Sequence, residues 1–248
     1  MTAIRANGIT IEYETRGRPA DPALILVRGL GTQLINWPEN LLRLLAGMGF
    51  YVVIFDNRDV GLSTKFDEAG APDINALLAQ AKAGGEIAVA YTIEDMATDV
   101  IGLMDALTVE TAHVAGISMG GAIVQVLAAK HGGRVRSMAS IMAQSGNPET
   151  PPGTPSAMAA LMRAGADEST REGAIEANIA TSRILASPKY PTSEADRRAM
   201  AEQAHDRCNC PGGRIRQRAA IIKSGNRIPL LQTIAVPSQV IHGIDDPL

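Results

Sequence analysis

Two uninterrupted apolar runs, Ala23 to Val27 (ALILV) and Tyr51 to Phe55 (YVVIF), restrict the fold of this chain more than any other feature. A strand with one wet face alternates apolar and polar residues, whereas a strand covered on both faces does not, so the runs predict a parallel sheet buried between helices. The segment between them agrees: Pro38 to Met48 carries Leu41, Leu42, Leu44 and Leu45 at helical spacing, which makes a β-α-β crossover. Further on, Thr92 and Asp95 form a capping box ahead of a helix whose apolar face is Ile93, Met96, Ala97, Val100, Met104 and Leu107. Thr111 to Gly116 then reads as a strand, Gly120 to Lys130 as a helix and Val135 to Met142 as a strand. Upstream, Asn7-Gly8 supplies the positive φ angles of a tight turn, and the alternating Ile9, Glu12, Tyr13 and Thr15 make an N-terminal hairpin. The expected fold class is therefore α/β, with a mostly parallel doubly wound sheet.

From Asn147 the alternation lapses into NPETPPGTP and then into Ala- and Met-rich helical patches (SAMAALMRA, EADRRAMAEQAH) as far as about Arg227. This predicts a helical cap inserted into the core, after which a strand from Ser238 to His242 resumes the sheet. The expected domains are a core over 1–146, a cap over 147–227 and a continued core over 228–248. Met158, Met162 and Met200 of the cap, with Trp37, are candidates to line a pocket, although core packing suits them as well.

At 46% hydrophobic and 20% charged over 248 residues, the chain can bury a sizeable core. Its net charge is -3 and its 23 Lys and Arg are scattered, so neither nucleic acid nor an anionic membrane is the expected partner. A neutral or weakly charged small molecule fits better. The N-terminus lacks an apolar signal core and no stretch nears the roughly 20 apolar residues of a bilayer span, which predicts a cytoplasmic location. Cys208 and Cys210, two apart in RCNCPGG, read as loop thiols too close for an ordinary disulfide, and no metal or cofactor is expected.

The chemistry centres on Gly116-Ile117-Ser118-Met119-Gly120, a Gly-x-Ser-x-Gly pentapeptide between an apolar strand and an apolar helix. In that context the motif marks a nucleophile elbow, whose glycines permit a turn too tight for side chains and leave the Ser118 hydroxyl projecting above the sheet.

With HVAGISMGG, FDNRDVGLST, VRGLG and VPSQVIHGIDDP, the chain resembles the α/β-hydrolases, and within them serine esterases similar to aclacinomycin methylesterase. The resemblance implies an oxyanion hole at the backbone amides of Leu30 and Met119, with Arg28-Gly29 where many relatives have His-Gly. It implies a supporting role for the Asp56, Arg58, Asp59, Gly61 and Ser63 loop. It selects Asp246 of Gly-Ile-Asp-Asp-Pro as the triad acid, with Asp245 as its rival. The usual order is Ser, acid, then His, yet His113, His131, His205 and His242 all precede Asp246. The catalytic histidine is thus expected to lie beyond Leu248, in a protein of which this chain is a C-terminally truncated form lacking a last strand and helix. Self-association through the sheet edge so exposed is a further expectation.

The activity implied is hydrolysis of a small-molecule carboxylic ester through an acyl-enzyme. Dehalogenases and epoxide hydrolases of this fold use an Asp nucleophile, which Ser118 disfavours, whereas carbon-carbon hydrolases, lactonases, thioesterases and perhydrolases share the triad. A receptor-like chain that binds without turnover is the alternative from another class.

Overall fold

The computed structural model describes residues 2–163 and 167–248. They divide into two compact units, one of 1–147 with 210–241 and the other of 148–209 with 242–248.

The first unit is built on seven strands: β1 (Thr2–Ala6), β2 (Ile9–Arg16), β3 (Ala23–Val27), β4 (Tyr51–Phe55), β5 (Ala112–Ile117), β6 (Val135–Ile141) and β7 (Ser238–Ile241). They form one sheet in the order β1-β2-β4-β3-β5-β6-β7. β1 and β2 form the expected hairpin, β2 runs antiparallel to β4, and every later pairing is parallel. Its helices are α1 (Glu39–Gly47), α2 (Ile74–Lys82), α3 (Ile93–Ala106), α4 (Met119–Lys130), and, past the second unit in sequence, α8 (Pro211–Ser224) and α9 (Ile228–Leu231).

Why β3 and β4 are continuously apolar is plain from what each face meets. Ile25, Val27, Val53 and Phe55 join the cluster of Met96, Val100, Leu103, Ile123 and Leu127 from α3 and α4. Leu24, Leu26, Val52 and Ile54 point the other way, to Leu34, Trp37 and Leu42 of the α1 side. Successive strand residues face opposite sides, so a strand between two helical layers has no place for a polar residue.

The second unit holds α5 (Pro155–Met162), α6 (Arg171–Leu185) and α7 (Glu194–Arg207). Its core is small: Ile175, Ile179 and Ala201 pack together. Charge complements it, with Arg183 on Glu194, Arg171 on Asp206, and Arg198 among Glu172, Glu176 and Glu202. Met158 and Met200 are exposed rather than part of that core.

Two sequence readings change. α8, expected inside the cap, groups with the sheet, because Arg216 makes two hydrogen bonds to Asp59 (2.7 and 2.8 Å) and Gln217 Nε2 donates to the Arg58 carbonyl at 2.8 Å. Cys208 and Cys210 are disulfide-bonded rather than loop thiols. Cys208 ends α7 with extended backbone (φ -167, ψ 121), and extended backbone turns side chains two apart toward the same side. Among the described residues no helix is long and apolar enough to cross a membrane.

Candidate active site

β5 runs into α4 with a single residue, Ser118, between them. Its backbone adopts φ 56 and ψ -119, a region that residues with a Cβ seldom enter and that costs about 1–3 kcal/mol where it occurs. The glycines on either side explain how the chain reverses so sharply. A Cβ on Gly116 would stand 2.1 Å from the Gly120 carbonyl oxygen, and one on Gly120 would stand 2.2 Å from that of Val27. Ser118 is exposed while Met119 and Gly120 are buried. Among the described residues the Ser118 hydroxyl has no hydrogen-bond partner, and it does not cap α4.

The turn after β3 lies directly against this serine. A Cβ built on Gly29 would come within 3.2 Å of Ser118 Cβ and 3.7 Å of its Oγ. Thr32 closes the turn through Gly29, Asn57 Nδ2 holds the Arg28 carbonyl at 3.0 Å, and Gln217 Oε1 accepts the Gly31 amide at 2.8 Å. The neighbouring Leu30 amide donates to no acceptor among the described residues, nor does that of Met119, the first residue of α4. A helix's first amides have no partner within the helix and carry its positive end, so Met119 N–H is suited to an oxygen gaining negative charge.

The Asp56 loop uses its polar groups on backbone. Asp56 accepts the Leu34 amide at 2.7 Å and the Leu62 amide at 2.9 Å. Ser63 Oγ donates to the Asp56 carbonyl and accepts the Glu12 amide. Asp59 accepts the Phe66 amide. Burial pushes the Asp59 carboxyl up, but the Arg216 guanidinium and its other hydrogen bonds outweigh this and hold it below the usual carboxylate range. Arg58 is held by Asp99 at 2.6 and 2.7 Å, in the core.

Of the two candidate acids, Asp245 is half exposed and 4.0 Å from Lys189, whereas Asp246 Oδ2 lies 3.0 Å from His242 Nε2. That pairing was not expected from the sequence, where His242 reads only as the end of a strand; its spacing of four residues across a turn was the available signal. The other histidines have other tasks. His113 Nδ1 meets Ser137 Oγ at 2.8 Å and packs edge-on against Phe50, with burial lowering its proton affinity. His131 caps α4, and His205 lies beside Asp206.

The chain has counterparts among known proteins. Rhodomycin D methylesterase of Streptomyces sp. (strain C5) is 33% identical over 125 residues, which are 50% of this chain and 36% of that protein. 3-Oxoadipate enol-lactonase 2 of Acinetobacter baylyi is 30% identical over 125 residues, 50% of this chain and 38% of that protein. The matched segment thus spans little more than a third of each relative. Among solved structures, the enol-lactonase from Burkholderia xenovorans LB400 superposes with a TM-score of 0.69 at 26% identity, covering 98% of this chain and 81% of that one. The meta-cleavage product hydrolase of Pseudomonas fluorescens IP01, at 19% identity and TM-score 0.73 over 100% of this chain and 81% of that one, shares the fold. The family described as the alpha/beta hydrolase fold matches residues 22–248, and to that family the chain belongs.

Proposed function

We propose that the chain is a serine hydrolase acting on carboxylic esters of small molecules through an acyl-enzyme. The observation that carries this reading is Ser118 itself: a strained residue whose hydroxyl is committed to no partner among the described residues, flanked by glycines that only close approach requires. Strain of this kind is retained where the surrounding fold enforces it, which is characteristic of reacting groups. The relatives' names, a methylesterase and an enol-lactonase, support an ester as substrate.

In this mechanism Ser118 Oγ attacks the acyl carbon and passes its proton to an imidazole. The Leu30 and Met119 amides donate to the oxygen that becomes negative. The tetrahedral intermediate expels the alcohol, which takes the proton from the imidazolium, and water then releases the acid by the same steps in reverse order. Asp246 orients the imidazole and stabilises its cation without taking the proton. Among the described residues, the imidazole that Asp246 reaches is that of His242, at 3.0 Å.

A fluorophosphonate probe tests the nucleophile. Stoichiometric labelling confined to Ser118, and abolished in Ser118→Ala, is expected. A chain that only binds ligand would stay unlabelled, and labelling that persists in the Ala variant would move the nucleophile elsewhere.

A further inference from the structure

The buried arginines of the first unit have acceptors to match their donors, whereas those of half-buried Arg28, beside the elbow, do not all find one among the described residues. Arg58 is paired with Asp99 and Arg216 with Asp59. Among the described residues Arg227 faces no carboxylate, but Gln125 Oε1, Ser224 Oγ and the Gln144 carbonyl accept from it. Arg28 differs. Its Nε makes one long hydrogen bond, 3.3 Å, to Thr32 Oγ1, and among the described residues its two terminal nitrogens meet no acceptor. The guanidinium instead lies over the Trp37 ring, 4.8 Å from its centre. Among the described residues the indole Nε1, itself buried, also has no acceptor.

This corner adjoins the proposed nucleophile from two sides. Arg28 is bonded to Gly29, which stands against Ser118, and Trp37 belongs to the cluster in which Ile117, the residue before Ser118, packs. A planar fork of donors, stacked on an aromatic face and lacking an anion, is the arrangement that takes a carboxylate.

We propose that Arg28, seated on Trp37, is a specificity-determining residue that binds a carboxylate of the substrate, so that the ester hydrolysed is a half-ester of a short dicarboxylic acid. This rests on the ester-hydrolase reading of Ser118 and names the substrate class within it. Burial lowers the proton affinity of Arg28, to about 10, and it remains a cation at neutral pH. An incoming carboxylate would restore the opposite charge that burial makes valuable. Arg28 is one residue from Gly29, which stands against Ser118, and the acyl chain proposed is accordingly a short one.

Trp37 is the chain's single tryptophan, so its fluorescence reports on this corner without any turnover. Glutarate should produce a saturable change in the parent, glutaramide none, and Arg28→Met should lose the response while Arg28→Lys keeps part of it. In parallel, kcat/KM for p-nitrophenyl hemiglutarate should exceed that for p-nitrophenyl butyrate by about tenfold or more in the parent, with the ratio collapsing in Arg28→Met. Butyrate ester hydrolysis with no glutarate response and a ratio near one would overturn the carboxylate site and leave the hydrolase standing. A glutarate response dependent on Arg28, with neither ester cleaved, would overturn the hydrolase reading instead. A response equal for glutarate and glutaramide, or undiminished in Arg28→Met, would also overturn the site.

Discussion

At the scale of single residues, what separates Asp246 from Asp245 is contact rather than chemistry. Both are carboxylates in one turn, yet the first holds an imidazole at 3.0 Å and the second faces solvent and a distant lysine. If Asp246 orients the catalytic imidazole, Asp246→Asn removes the acceptor that fixes its tautomer, and kcat/KM for an activated ester should fall by about 10⁴. Asp245→Asn should change it by less than about twofold, since exposed charges of this kind contribute little. Equal losses from the two variants would return the assignment to open competition. The elbow invites a second measurement. Gly120→Ala places a methyl group 2.2 Å from the Val27 carbonyl oxygen, on a part of the backbone that β3 and α4 both hold. Overpacking of that kind should cost about 3 kcal/mol, read as a lower urea midpoint with an unchanged slope. A variant as stable as the parent would mean that the junction relaxes.

The elements differ in how far local sequence determines them. α3 was fully legible: Thr92 Oγ1 accepts the Asp95 amide at 3.1 Å and Asp95 Oδ2 accepts the Thr92 amide at 2.7 Å, the reciprocal pair that a Thr-x-x-Asp spacing encodes. Thr92→Ala should therefore cost about 1 kcal/mol in chemical denaturation. α2 was not read from the sequence, although its signal was there: Asp73 accepts the Asn75 and Ala76 amides as a cap, and INALLAQAK is made largely of strong helix formers. α8 falls in the segment read as cap and was not itself read as a helix, and what ties it to the sheet is a pair 157 residues apart, Arg216 with Asp59. No periodicity encodes such a partner. Its energetic weight can be measured: Arg216→Met leaves a buried carboxylate without its cation and should cost about 3–5 kcal/mol near neutral pH. Asp59 is held below its usual value, so the native state binds fewer protons than the unfolded chain between the two values. The stability it contributes is complete above about pH 4 and is lost as pH falls through the native value. The gap in urea midpoint between parent and Arg216→Met should narrow on acidification below about pH 4; a gap that widened would assign the stabilisation to other groups.

At the scale of the whole molecule, the sheet is unevenly protected. β3 lies between β4 and β5 and is buried on both faces, whereas β7 pairs on one side with β6 and all four of its residues are exposed. Its apolar members are not small: Val240 is 71% exposed and Ile241 45%. The run SQVI was legible as a strand, but its exposure was not, because an apolar run reads the same whether or not another element covers it. An edge with free amides and carbonyls, no internal proline and apolar side chains is a template for another strand, and natural edges are usually blunted with a lysine, a proline or a bulge. We therefore expect copies of this chain to associate through β7, with a weight-average mass that rises with concentration in sedimentation equilibrium. Val240→Lys places a charge on that edge and should lower the mass toward that of one chain, while the equivalent charge on β1, at the opposite edge, as in Thr2→Lys, should leave it unchanged. Association that survives Val240→Lys and yields to Thr2→Lys would put the contact at the other side of the sheet, and a mass independent of concentration in the parent would show that the β7 edge does not recruit a second copy.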